Sequence, residues 1–466
     1  MISDLHLCEA EKAHPKDPLW KKYKTREFFF DDVFSGFLSH LRERAQGEMV
    51  ELILNGDIFD FDSVTSLPEA PTFRTSWLER HRGLHPQEDK SLFKIKKILE
   101  DHEEWTRALA NFIKTGNRVI FILGNHDLEL HFPSVQKHVL KALDLLPEEK
   151  KRVRFCEWFY ISNGDTLIEH GNQYDPYCVC QDPINPFVVK GSHIEMRLPF
   201  GNLATRYLIN GMGYFNPHVD SNFILTAREY LVFFFKYMVR SQPLLVWTWL
   251  WGSFVTLFQT FFDRLLPVLR DPMVVEERSA AIAKKSNTTP GVVRQMRSMS
   301  VSPAANNPWL LATELWLDRA MILMVIGYVI MRTYFTVDDY VPIAVWWIAI
   351  PLVLFLPPFV FYSTLVASEV VSYKKPRERI LMNSSWITGT NRVVYGHTHI
   401  TCHEVIGGVE HLNSGCWSPA FVDVECTRAI DRRAFVWIFP GSLGAREAEL
   451  LVFEGGEVKD QKTRRA

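Results

Sequence analysis

The sequence has no charge bias, no paired-cysteine framework and no leader-like pattern in its first residues. Lys plus Arg number 52 against 54 Asp plus Glu, for a formal charge of −2. No basic field is available to attract nucleic acid, and none is expected as a partner. Seven Cys is an odd count, and the start shows no basic region followed by an apolar stretch and a cleavage site. Reduced thiols in a cytoplasmic compartment are therefore expected. Cys178 and Cys180 form a CxC pair, but no second pair at zinc-ligand spacing accompanies them, which favours a structural role for both. Internal repeats and low-complexity tracts are also lacking, and 287–308, rich in Ser, Asn and Pro, reads as an exposed loop. The chain opens Met-Ile-Ser-Asp, so a strand carrying Asp4 would have almost nothing before it, which suggests a start further upstream.

Charge is also missing locally. Tyr340 to Ser368 is 29 residues without a formal charge, more than the roughly 20 that cross a bilayer as a helix. Its four prolines are better tolerated in lipid than in water. Leu244 to Phe262 is a second uncharged run, of 19, carrying three Trp, and fits a span or an interfacial helix. Ala320 to Met331 is a third, only 12 long unless Leu310 to Leu317 joins it. Residues 223–239, with Arg228, Glu229 and Lys236 inside, fit an amphipathic surface helix.

The rest reads as an ordinary charged globular sequence, and 466 residues exceed what one core usually fills. Its chemistry lies in five short motifs. Asp4 and His6 form a DxH, with both side chains on one side of an extended segment. The apolar run Val50 to Leu54 ends in Asn-Gly-Asp57-Ile-Phe-Asp60, and Val119 to Leu123 ends in Gly124-Asn125-His126-Asp127. Thr166 to Glu169 ends in His170-Gly171, and Arg392 to Tyr395 in Gly396-His397-Thr398-His399. Carboxylate, imidazole and amide oxygen at successive strand ends make an N/O donor set without thiolate, suited to Mn²⁺, Fe or Zn²⁺. Asn172, Gln173 and Asp175 fit either a substrate-facing role or a turn at Asp175-Pro176, and His403 either a surface residue or a substrate contact.

These motifs resemble the calcineurin-like metallophosphoesterase superfamily, whose pattern is DxH, GDxxD, GNHD or GNHE, His-Gly and GHxH. The resemblance covers roughly 1–180 and 385–455. It implies an α/β fold: a layered two-sheet β-sandwich flanked by helices. It also implies two divalent metal ions, Mn²⁺ first, with Fe or Zn²⁺ as alternatives. Asp4, His6 and His399 would hold one, Asn125, His170 and His397 the other, and Asp57 would bridge them. His126 would serve the leaving group, Asp127 would orient its ring, and Asp60 would act from behind the ligands or cap a loop. Two metals 3.5–4 Å apart, roughly, supply an acidified water and clamp the attacking and leaving oxygens. A more distant likeness is to the UDP-2,3-diacylglucosamine pyrophosphatases, which also begin SDLHL and carry a lipid-binding helical insertion after the His-Gly. They differ in having Arg where His126 stands and a much shorter insertion.

The expected organisation is a split catalytic domain, 1–200 and 380–466, around a helical insertion at 201–379 with transmembrane or interfacial helices. His397 and His399 must reach the same site as Asp4, so the number of crossings is even, two or four. The seven Lys or Arg in Asp263 to Asn307, with Lys374, Lys375, Arg377 and Arg379, place the catalytic flanks in the cytoplasm. Thr333 to Asp339 would then lie on the far side, and 311–368 would form one hairpin. The expected function is a membrane-anchored phosphoesterase cleaving a monoester, diester or pyrophosphate bond of a phosphorylated small molecule or lipid, the lipid favoured. The alternative is a non-catalytic scaffold of the same fold, which the intact ligand set disfavours. A transport protein would need ionisable residues within its spans, and Tyr340 to Ser368 offers none at neutral pH.

Overall fold

The computed structural model describes residues 1–12, 22–70, 72–212, 235–236, 244–267, 272–366, 370, 376–421, 426–429, 432–441 and 444–460. The apolar runs before the motifs become short strands because they are buried on both faces. β1 (Glu51–Asn55), β2 (Arg118–Ile122) and β3 (Val153–Cys156) form a parallel sheet. A mixed sheet contains β4 (Phe159–Ser162), β5 (Thr166–Glu169), β8 (Arg392–Tyr395), β9 (Cys402–Ile406) and β10 (Val409–Asn413), in the order β4-β5-β8-β10-β9. β6 (Phe187–Lys190) pairs with β7 (His193–Met196), and β11 (Arg433–Pro440), β12 (Arg446–Glu454) and β13 (Glu457–Asp460) form an antiparallel sheet. The Gly-Gly at 455–456 makes the β12–β13 turn, with both glycines at positive φ.

The first motif lies on an N-terminal segment that joins two of these sheets, with Asp4 and His6 in left-handed rather than extended backbone. Ile2 N–H donates to Ile53 O and accepts from Asn55 N–H through its own carbonyl. On the other side, Met1 and Val436 exchange two backbone bonds, at 2.7 and 3.0 Å. Residues 1–7 therefore lie between β1 and β11 and merge the two three-stranded sheets into one layer.

That layer faces the mixed sheet across a core of Ile53, Ile120, Ile122, Ile168, Val394, Leu412, Val436 and Val452. The amphipathic helices Asp31–Arg44, Glu88–Asp101, Glu103–Lys114 and Pro133–Ala142 cover its outer face, burying Phe34, Ile98, Trp105 and Val139 among others. The outer face of the mixed sheet is covered by Glu378–Thr388 and, unexpectedly, by Pro272–Lys285 and Pro290–Ser298, through Leu381, Ile282, Val293 and Met296. Ser286 O accepts from Ile161 N–H, and Ser286 Oγ–H donates to Phe159 O. Residues 272–298, within the insertion expected at 201–379, thus pack on the catalytic layers. Apolar faces at helical spacing within 272–298, not a change of domain, decide where this stretch packs, and the expected loop at 287–308 is largely helical.

Two helices among the described residues are long and apolar enough to cross a membrane, Leu317–Asp338 and Val345–Leu365, and almost none of either is buried. The helix that contains the third run is longer than the run's 12 residues, because Arg332 does not end it. Nor does Leu310 to Leu317 extend it: Pro308–Glu314 is a separate helix, broken at Trp316, whose φ is +61°. At the base of the pair, Tyr362 Oη–H donates to Asp318 Oδ2 (2.7 Å) and Arg319 Nη2–H to Val366 O (2.9 Å). Leu245–Leu265 is different. Its Gly252, Ser253, Thr256 and Thr260 are buried against Phe200–Ala204 and Thr205–Ile209, while Trp247, Trp251, Phe254, Phe258, Phe262 and Leu265 point outward at helical spacing. The amphipathic segment expected at 223–239 lies outside the described residues except for Phe235 and Lys236.

Trp417 ties this framework to the first motif. It is fully buried among Phe30, Phe34 and Phe37, donates Nε1–H to Ala434 O at 2.6 Å, and gives its backbone N–H to Asp4 O. Replacing it with Ala is expected to cost about 3–5 kcal/mol of stability in denaturant titration; a loss within 1 kcal/mol, roughly, would contradict the packing described here.

Candidate metal centre

The strand ends bring the motifs together. Asp57 follows β1, Asn125 and His126 follow β2, His170 follows β5, and His397 and His399 follow β8. Asp4 and His6 approach from the bridging segment, whose N–H groups bond Gly56 O and Asp57 O. Two glycines make the approach close enough. A Cβ on Gly56, whose φ is +80°, would collide with the His170 ring, and one on Gly124 would collide with the Asp57 carboxylate.

Asp4, His6 and His399 present donor atoms within 4.8 Å of one another, and so do Asp57, His170 and His397. In the first set His6 Nε2 and His399 Nε2 are 3.4 Å apart, and His399 Nε2 is 3.3 Å from Asp4 Oδ1. In the second, His170 Nε2 is 3.0 Å from Asp57 Oδ2. Asp57 also lies 4.0 Å from His6 Nε2, so its buried carboxylate stands between the two sets. Burial would raise its pKa, but His170, His126 and His6 hold it well below the usual carboxylate range.

Asn125 Oδ1 is buried with no hydrogen-bond partner among the described residues, and buried Asp4 Oδ1 and His170 Nε2 make no well-directed hydrogen bond, facing the ionic partners His399 and Asp57 within the cluster. Groups left this way are expensive in a folded protein. All three are good ligands for a divalent cation, so the residues fit the metals that the resemblance implies. The backbone carries a second mark. Asp4, His6, Asp57, His397 and His399 all have left-handed φ, between +50° and +64°. Such conformations cost on the order of 1–3 kcal/mol each and persist where the surroundings enforce them.

Neighbouring groups fix the donors. His170 Nδ1 lies 2.9 Å from Asn55 O, which assigns the proton to Nδ1 and turns the Nε2 lone pair inward. Asn125 Nδ2–H donates to Asn202 Oδ1 (3.3 Å), while Asn202 Nδ2–H donates to Asn125 O (2.7 Å) and Asp62 Oδ2 (2.6 Å). His397 Nε2 is held by Asp175 Oδ2 at 2.9 Å, and Asp175 Oδ1 accepts from Tyr177 N–H. Asp175 therefore serves the turn and the ring together. Asn202 and Asp62 carry no motif in the sequence, and only the position of Asp175 just after His-Gly hinted at its part. Asn172 donates to Cys178 O, and His403 pairs with Glu410 across the β9–β10 hairpin.

One expected role is corrected. Asp127 does not orient His126. Its two carboxylate oxygens accept from Ile58 N–H (2.8 Å) and Gly124 N–H (2.6 Å), tying the loops after β1 and β2 together. Asp60 takes that place, with Oδ1 3.3 Å from His126 Nδ1 and its other bonds coming from Ser63. Burial would lower the His126 pKa, but Asp60, Asp57 and Asp62 push it up to about 10.

Replacing Asp175 with Ala is expected to weaken metal binding by about 10–100-fold in chelator competition, with Asp175→Asn intermediate because its amide oxygen still accepts from the ring. Unchanged affinity in both variants would reduce Asp175 to a turn residue.

The model of the calcineurin-like phosphoesterase family matches residues 1–217. The match ends before His397 and His399, which the fold brings to the other donors. No curated protein matches the chain.

Proposed function

We propose, from the match of residues 1–217 to the calcineurin-like phosphoesterase family, that the protein hydrolyses a phosphomonoester, phosphodiester or pyrophosphate bond at a two-cation centre beside a membrane, with a lipid-linked substrate favoured. The observation that carries this reading is the pair of buried donor sets on either side of Asp57, with unsatisfied ligand atoms in both. Bound there, two divalent ions would acidify a water and neutralise charge on the phosphoryl oxygens. Asp4, His6 and His399 would hold one, Asn125, His170 and His397 the other, and Asp57 both.

The remaining chemistry belongs to His126. Its ring packs edge-on to His6, with centroids 5.0 Å apart, at the mouth of the donor cluster. The carboxylate of Asp60 at Nδ1 favours its protonated form, so His126 can release a proton to the departing oxygen through Nε2.

The membrane placement is supported by exposed apolar surface. Leu317–Asp338 and Val345–Leu365 form an antiparallel pair that would cross twice and return the chain to the side it left. Within the basic stretch Asp263 to Asn307, residues 272–298 pack against the catalytic layers, and no basic residue lies in 339–344 between the two helices, so the positive-inside tendency favours a cytoplasmic catalytic domain. Leu245–Leu265 suits the interface better than a crossing, because one face is sealed onto the protein and the other carries Trp and Phe. It packs on the helix that supplies Asn202, which puts the site one helix from lipid.

In detergent with Mn²⁺, His126→Ala is expected to lower kcat on an aryl phosphate by about 10²–10⁴-fold with metal content retained. Asp57→Ala is expected to abolish hydrolysis and lose metal as well. Full activity in either variant would overturn the assignment. Alkaline carbonate should leave the full chain in the membrane fraction, and replacing 317–365 with a Gly-Ser linker should release more of it while aryl phosphate hydrolysis persists. Complete carbonate extraction of the full chain would exclude spanning helices.

A further inference from the structure

A second group of donor atoms lies on the mixed sheet, back from the strand ends that carry the centre described above. Cys402 and Glu404 stand on the same side of the edge strand β9, and His411 faces them from β10, where it is the register partner of Glu404. His411 Nδ1 is 3.5 Å from Cys402 Sγ and 3.2 Å from Glu404 Oε1. The imidazole is buried, whereas Cys402 and Glu404 are half-buried, so the group opens to solvent on one side.

One ring nitrogen cannot satisfy both neighbours. Protonated, Nδ1 donates to the carboxylate or to the sulfur but not fully to both. Unprotonated, it accepts from the thiol and then faces the lone pairs of Glu404. A divalent cation would serve all three donor atoms at once, since thiolate, carboxylate and neutral imidazole converge here and all direct lone pairs toward it. The spacing agrees with this. Zinc takes sulfur at about 2.3 Å and nitrogen or oxygen at about 2.0–2.2 Å, and a tetrahedral arrangement of such bonds separates the ligand atoms by roughly 3.3–3.6 Å. The sulfur–nitrogen separation of 3.5 Å falls within that range, and the nitrogen–oxygen separation of 3.2 Å lies about 0.1 Å below it. The thiolate also distinguishes the group from the all-N/O donors around Asp57, because soft sulfur selects zinc over manganese.

We propose that Cys402, Glu404 and His411 bind a Zn²⁺ ion, with water in the fourth position, at a site separate from the hydrolytic centre. The ion pins the exposed edge strand β9 to β10 across the glycine turn at 407–408. It thereby steadies Asn413 at the end of β10, whose Nδ2–H groups reach Gly396 O (2.8 Å) and Thr398 Oγ1 (3.2 Å) in the last motif. His403 and Glu410 pair with each other on the opposite side of the hairpin and take no part. Tyr395, edge-on to His411 with centroids 5.6 Å apart, forms the inner wall.

The test uses the full chain in detergent and the metals alone as probes. After zinc loading, X-ray absorption at the zinc edge should show a sulfur ligand at about 2.3 Å. Cobalt loading should give a thiolate-to-Co²⁺ charge-transfer band in the near ultraviolet, which an N/O centre cannot produce. Cys402→Ser and His411→Ala should each lose the band and one equivalent of metal. Cys178→Ser and Cys416→Ser, at the thiols nearer the other centre, should retain both. A zinc edge with only N/O ligands, or a band that survives Cys402→Ser, overturns the proposal. The wild-type zinc-edge spectrum decides the matter even if a variant fails to fold.

Discussion

Imidazole and carboxylate donors gathered at buried strand ends, with their lone pairs aimed at one another, form an arrangement that water cannot stabilise and hydrogen bonds satisfy only in part. Asp57 is its centre. Its carboxylate is buried, touches donors of both sets and accepts the His126 N–H at 2.7 Å. The surrounding architecture holds these groups in place: a sandwich whose loops end at one rim, a first segment bonded between two sheets, and five ligand positions in left-handed backbone. Bound cations would neutralise what the backbone concentrates.

The motifs were legible because each couples two local signals, an apolar run that must be a buried strand and a polar cluster immediately after it. That placed Asp57, Asn125, His170, His397 and His399 at strand ends without any tertiary information. Asp62, Asn202 and Asp175 were hidden for the opposite reason. Asn202 is 77 residues from Asn125 and meets it only because the chain folds back after the β6–β7 hairpin. Asp127 was misread because adjacency in sequence suggested partnership with His126, whereas the tight turn after Gly124 directs its carboxylate at backbone N–H groups.

Hydropathy marked the insertion but not its packing. Arg332 interrupts an uncharged run without interrupting a helix, while Trp316 separates Pro308–Glu314 from Leu317–Asp338. Residues 272–298 are charged enough to read as a linker, yet they present Ile282, Val293 and Met296 on faces that complete the catalytic layers. Between these regions Leu245–Leu265 carries small residues inward and aromatic ones outward, so it joins the apolar surface to the domain that bears the site.

The most direct test of the central claim is anomalous scattering from crystals of the manganese-loaded protein. Two peaks should flank the Asp57 carboxylate, about 3.5–4 Å apart, one against Asp4, His6 and His399 and the other against Asn125, His170 and His397. A single peak, or peaks remote from Asp57, would contradict the account.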